Sequence, residues 1–357
     1  MGVSSDGVYA VSSHLDRRLV LWNLAERTRG TISTQANIYS AYFIDDRRAF
    51  LWQDLDDVVH VETVNGRELK SFEHFPTYGH IIGSDLETYA AANIKWHLYL
   101  GEGSDRRPIK RDNAGREVPN TGKLINLSLG PHAKRLLSSG YGLSGYDKKP
   151  IKKSPPVEPD AEFSDYRGVV LWSLPTGNPI KKLAGNAAKT HATLSPDGEY
   201  VVAVDENGKA FWWDVDTGAR HQIARLGSGL YVPSSDPNEL GHYNKEGMHL
   251  DPSEFPGDFG GGAQIAVQFV SPEHFVILHT YERYASVYKL GDPFARAIVD
   301  LGDDPFPSVA RYSRNEAIDS APEANLLVTG QRSKGGINVY RFDPDELTLE
   351  KIWAPTP

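Results

Sequence analysis

Residues 191–218 read HATLSPDGEYVVAVDENGKAFWWDVDTG, and the fold follows from how this stretch divides. HATL and EYVVAV are short runs of alternating apolar character, joined by Ser195, Pro196, Asp197 and Gly198. Pro and Gly at those positions, between two such runs, make a hairpin turn. AFWW at 210–213 is a third run that ends in an aromatic, then passes into the polar turn Asp216, Thr217, Gly218 and a fourth short strand. The stretch therefore predicts four antiparallel strands in sequence, here A to D.

The third run returns along most of the chain. It reads LVLW at 19–22, VVLW at 169–172, ASVY at 285–288 and INVY at 337–340, with weaker copies WHLY at 96–99 and VHVE at 59–62. Turns equivalent to 195–198 can be placed at 4–7, 45–48, 84–87, 130–133, 271–274 and 321–324. A recurrence of about 40 residues signals a repeat architecture, and four-stranded units repeated radially signal a β-propeller. Helical repeats fit poorly, because the apolar runs are short, β-branched and aromatic-rich with no sustained 3.6 periodicity. The expectation is an all-β, seven-bladed β-propeller filling 1–357 as one domain, with six or eight blades as the alternatives because the second and third units are degenerate. Its blades fall near 1–34, 35–75, 76–112, 113–185, 186–226, 263–302 and 303–357.

The phrases SPDG, AFWWDVDTG and VLWSLPTG resemble the WD-repeat family and the wider group of WD-like bacterial propellers. The resemblance covers nearly the whole chain, and the fifth unit carries it best. The Gly-His dipeptide usual before the first strand of such repeats is missing from every unit, as is the regular Asp in the turn between strands B and C. The resemblance therefore implies the architecture and no shared hydrogen-bond network.

The recurrent aromatics Trp22, Trp172, Trp213, Tyr288 and Tyr340 are expected to fill the space between neighbouring blades, each burying roughly 150–250 Å². Ring closure is the one oddity. The last unit is complete through its final strand, whereas the first has almost no strand A before Ser4. An upstream segment completing the first blade is expected over closure by packing alone, because a shared strand leaves no free edge.

The chain has 38 basic and 47 acidic residues and a net charge of -9, without a long run of one sign. General nucleic-acid binding needs a concentrated basic face and is not expected. No stretch approaches the roughly 18 apolar residues of a membrane helix. With no cysteine, thiolate metal sites, disulfides and thiol catalysis are excluded. The same feature tilts the expected location toward export or the periplasm, with a targeting segment absent from this chain.

Individuality in repeat proteins lies in insertions. One, at 142–167, interrupts the fourth unit between strands B and C. The other, at 227–262, joins strand D of the fifth unit to strand A of the sixth. Because strands alternate in direction, B–C and D–A connections leave on the same side of a ring, so both insertions are expected on one face. The first is charge-segregated, with Lys148, Lys149, Lys152 and Lys153 ahead of an acidic half. The second carries Tyr231, Tyr243, Phe255 and Phe259 among acids, a content that favours order. These eight residues are the candidate contacts for a partner protein. His242, His249 and Asp251 are a weak candidate for a divalent cation, in a spacing that matches no compact metal loop.

The alternative is a propeller enzyme or small-ligand binder working at the central channel, where phasing places His80, Asn126, His191, Gln264 and Glu316. No nucleophile elbow or phosphate-binding loop accompanies them, since the glycines at 260–262 precede a strand. The expected function is thus a non-catalytic protein-binding scaffold, monomeric by itself, with no catalytic residue and no cofactor.

Overall fold

The computed structural model describes residues 1–14, 16–44, 48–72, 77–82, 88–93, 98–102, 105–108, 124–130, 134–140, 168–173, 179–183, 190–205, 210–223, 265–279, 284–292, 295–301, 318–331 and 336–355. Both insertions lie outside them, with Lys148, Lys149, Lys152, Lys153, Tyr231, Tyr243, Phe255, Phe259, His242, His249 and Asp251. So do Gln264 and Glu316, and the side chain of His80.

The described strands form antiparallel four-stranded sheets in chain order. The first holds β1 (Gly2–Val3), β2 (Tyr9–Ser13), β3 (Leu19–Asn23) and β4 (Thr28–Ser33), and the second β5 (Ala36–Ile44), β6 (Ala49–Asp54), β7 (Val59–Thr63) and β8 (Glu68–Phe72). The third holds β9 (Thr77–Ile82), β10 (Thr88–Asn93), β11 (Leu98–Glu102) and β12 (Asp105–Pro108). The fourth holds β13 (Leu124–Leu129), β14 (Arg135–Gly140), β15 (Val169–Ser173) and β16 (Pro179–Leu183). The next holds β17 (Thr190–Leu194), β18 (Tyr200–Asp205), β19 (Ala210–Asp214) and β20 (Arg220–Ile223). After it come β21 (Ile265–Phe269), β22 (His274–His279), β23 (Tyr284–Lys289) and β24 (Ala297–Asp300). The last sheet is β25 (Ile318–Ala321), β26 (Leu326–Gly330), β27 (Ile337–Asp343) and β28 (Thr348–Trp353). The first strand of each sheet neighbours the first strand of the next, and β1 neighbours β25, so these strands line the axis of a closed ring.

The expectation of a seven-bladed ring is corrected on packing. Six blades, not seven, have a side-chain core among the described residues. The sheet β9–β12 is given by its backbone ladder alone, and its side chains lie outside the described set.

Blade cores form between sheets. Trp22 packs with Ala321, Val328, Ile337 and Val339 of the last sheet. Tyr340 packs against the β21–β24 sheet, Tyr288 against β17–β20 and Trp213 against β13–β16. Each recurrent aromatic with a described packing cluster thus leans on the preceding blade, as expected for inter-sheet filling.

The turn chemistry repeats at atomic level. In the turn at 195–198 the Ser195 hydroxyl donates to Asp197 Oδ1 and accepts the Tyr200 N–H at 2.9 Å, while Asp197 Oδ1 accepts the Glu199 N–H at 2.9 Å. At 4–7, Ser4, Asp6, Val8 and Tyr9 make the same bonds at 2.7–3.0 Å. Gly7 and Gly198 sit at φ 68° and 75°, which a side chain disfavours.

Among the described residues the seam between last and first blades shares no strand. It is closed by packing, by Trp22 edge-on to Trp353 at 6.0 Å, and by the Val3 N–H donating to Asp319 Oδ2 at 2.7 Å. A Cβ on Gly7 would lie 2.6 Å from the Ala324 Cβ and 2.9 Å from the Leu326 Cδ1, across that seam. Gly7→Ala therefore combines a strained φ with overpacking. It is expected to lower the urea midpoint by an amount equivalent to about 1–3 kcal/mol, whereas Gly66→Ala, equally left-handed but with open space around it, should lose only the smaller backbone part.

Candidate interaction faces and channel

On the end carrying the A–B and C–D turns, side chains bridge blades. Arg48 Nε lies 3.1 Å from Asp6 Oδ2. Arg135 reaches Asp216 at 3.3 Å and donates to the Gly198 carbonyl at 3.1 Å. Lys181 Nζ donates to the Val215 and Asp216 carbonyls at 2.9 and 3.0 Å. Such exposed pairs contribute little each, but they fasten neighbouring sheets together.

The opposite end carries the B–C and D–A connections. Gly140 and Val169, the bounds of β14 and β15, bracket the insertion at 142–167, and Ile223 and Ile265 bracket the one at 227–262. Its described corner is built by blades one and two. After β2 the chain turns tightly, with Arg17 at φ 67° and its N–H donating to the His14 carbonyl at 2.8 Å. Asp16 and Arg18 pair within the turn at 2.6 Å. After β6 the turn has Asp57 at φ 63° and is pinned by Asp54, whose Oδ1 accepts the N–H groups of Asp56 and Val58 at 2.9 Å. Burial alone would raise the Asp54 carboxyl, but the His60 ring and those N–H groups outweigh it and hold it below the usual range. At the tip Leu55 is 42 % exposed beside exposed Asp56.

Beneath this corner is a hydrogen-bonded chain that the sequence reading did not foresee. The Trp22 indole N–H donates to Ser12 Oγ at 2.8 Å, and Ser12 Oγ lies 2.8 Å from His14 Nε2. An indole can only donate, so Ser12 Oγ accepts the Trp22 N–H while it pairs with His14 Nε2. Burial pushes the His14 pKa down to about 4. In the fourth unit Trp172 donates likewise to Ser138 Oγ at 2.8 Å. The signal that could have found this is a serine two places along strand B from the residue paired with the tryptophan: Ala10 pairs Trp22 and Leu136 pairs Trp172.

Of the channel candidates, Asn126 and His191 are described, and both tie one blade to the next. Asn126 Nδ2 donates to the Ala192 carbonyl at 3.0 Å, and the Ala192 N–H donates to Ser139 Oγ at 3.2 Å. His191 is 3 % exposed, and its Nδ1 accepts the Val267 N–H at 3.1 Å. That bond places the ring proton on Nε2 and engages Nδ1 in the wall. Among the described residues no helix is long and apolar enough to cross a membrane.

No family model matches the chain, and no curated protein matches it. Solved structures do. The beta-propeller domain of Cps50 (Swd1) from Myceliophteria thermophila is 13 % identical, covers 96 % of both chains and superposes with a TM-score of 0.60. A chain from the mitotic checkpoint complex is 11 % identical, covering 96 % of this chain and 90 % of that one at a TM-score of 0.59. At such identities the likeness concerns the fold: this chain is similar to propeller proteins in being an all-β ring of four-stranded antiparallel blades.

Proposed function

We propose that the chain is a non-catalytic protein-binding scaffold, docking a partner on the face from which 142–167 and 227–262 leave. Propellers of this architecture generally serve as interaction scaffolds, and a rigid ring with long connections on one end suits that use. The observation that carries the reading is that the strand ends bracketing the two insertions, Gly140 and Val169 and Ile223 and Ile265, lie at one end of the ring, where the described corner leaves Leu55 and Asp56 exposed. Lys148, Lys149, Lys152, Lys153, Tyr231, Tyr243, Phe255 and Phe259 are the proposed contacts, with aromatic anchors contributing most.

The test is capture from the native source by the full chain and by a variant with both insertions replaced by short Gly-Ser linkers. Loss of a stoichiometric partner with an unchanged melting temperature supports the reading; equal capture by both overturns it. Leu55→Asp is expected to weaken the same complex by about tenfold, the effect of an interface residue contributing somewhat over 1 kcal/mol. The channel-enzyme alternative, through His80, His191, Gln264 and Glu316, would be favoured by turnover lost in His191→Asn. The engagement of His191 Nδ1 by Val267 speaks for a wall residue instead.

A further inference from the structure

On the outer strands of the second blade, four side chains from three strands converge. Trp52 of β6 pairs in register with His60 of β7, and Glu62 of β7 with Glu68 of β8. Residues 60 and 62 are two apart on one strand, so all four project from the same face of the sheet. The His60 ring stacks on Trp52 at 4.5 Å and 20°, which fixes its plane. Its Nε2 lies 3.0 Å from Asp54 Oδ2, and Asp54 is itself held by the N–H groups of Asp56 and Val58. Its Nδ1 lies 3.3 Å from Glu68 Oε2. The Trp52 indole N–H donates to Glu62 Oε1 at 3.1 Å, which aims that carboxylate.

We propose that His60, Glu62 and Glu68 form a divalent transition-metal site of the zinc type, with Asp54 as a positioning residue. One ligand atom from each of the three lies within 4.8 Å of the others. A tetrahedral zinc ion with bonds of about 2.0–2.1 Å separates neighbouring ligand atoms by about 3.3 Å, the distance already found between His60 Nδ1 and Glu68 Oε2. With Nε2–H donating to Asp54, a cation that displaces the proton between Nδ1 and Glu68 would complete the carboxylate–imidazole–metal order that raises ligand basicity. Three carboxylates around one imidazole leave the cluster anionic, so a cation relieves repulsion there. One imidazole and two carboxylates suit zinc better than calcium, which takes six to eight oxygens. Three protein ligands leave a fourth position for water or for a group from another molecule.

The experiment is calorimetric titration of the full chain with zinc chloride, paralleled by cobalt(II) and its visible d–d absorption as the coordination readout. One equivalent is expected to bind and to raise the melting temperature by mass action. His60→Ala should abolish the cobalt spectrum, and Glu68→Gln should weaken binding by about tenfold or more. Asp54→Asn, which touches no metal, should cost about 10–100-fold in affinity. Glu68 is exposed, so Glu68→Gln keeps the fold intact and carries the test if His60→Ala does not fold. Metal binding unchanged in Glu68→Gln, or a wild-type chain with neither cobalt absorption nor a thermal shift, overturns the proposal and leaves a histidine–carboxylate ion-pair cluster.

Discussion

Trp22→Ala and Trp172→Ala should each lower unfolding stability by about 3–5 kcal/mol, the range for deleting a large buried aromatic. Both side chains are fully buried. Trp22 stabilises the junction of first and last blades through its contacts with Val328, Ile337 and Val339 and its edge-on approach to Trp353. Its removal opens a cavity and takes a donor from Ser12, which is itself buried. Trp22→Phe keeps much of the volume and should cost clearly less, so the difference between the two variants reports the cavity. Equilibrium urea unfolding measures both; a loss under 1 kcal/mol for Trp22→Ala would mean the seam does not depend on this packing. Ile180→Ala, at a side chain already 41 % exposed, should change stability by no more than about 0.5 kcal/mol.

His14 and the folded-state carboxylates should destabilise the chain in two separate acid windows. His14 is neutral in the fold, with a pKa of about 4 against 6.5 when unexposed to that burial. Between those values the unfolded chain binds more protons than the folded one, so stability falls as pH falls from 6.5 to 4 and His14 adds no further loss below that. The full contribution is about 3 kcal/mol, at 1.36 kcal/mol for each unit of difference. Folded-state carboxylates act lower. Asp6, Asp16 and Asp54 are held below the ordinary 3.8 because hydrogen bonds and neighbouring cations outweigh burial. Their stabilisation is present above that value and lost as pH drops through their folded-state range. Unfolding free energy measured from pH 7.5 to 4 should show the upper slope in the wild type and a flattened one in His14→Gln. An unchanged slope in that variant would rule out His14 as its source. The Trp22, Ser12 and His14 substitutions should be non-additive, since the three share one hydrogen-bonded chain.

The strand runs, their turns and the recurrent aromatics were legible because each is a local pattern. Alternation, a Pro-Asp-Gly turn and a terminal aromatic are written in consecutive residues. The structure adds that Ser4 and Asp6 repeat the bonds of Ser195 and Asp197 atom for atom. The Trp22–Ser12–His14 chain was not legible, because departures from the family pattern argued against a shared network. Its histidine comes instead from the B–C connection, beyond the end of β2. The channel set was legible as a list of polar residues, but not that His191 bonds the next blade through Val267.

By itself the sequence determined the all-β class, the four-stranded unit, the strand order within it and the breaks at 142–167 and 227–262. These depend on spacing along the chain. Only the tertiary structure decided how the described first and last sheets meet, and that Asp54, His60, Glu62 and Glu68 converge. Those depend on register and on the angle between sheets. Pairing Glu62 with Glu68 and Trp52 with His60 across strands is what turns residues separated along the chain into one site.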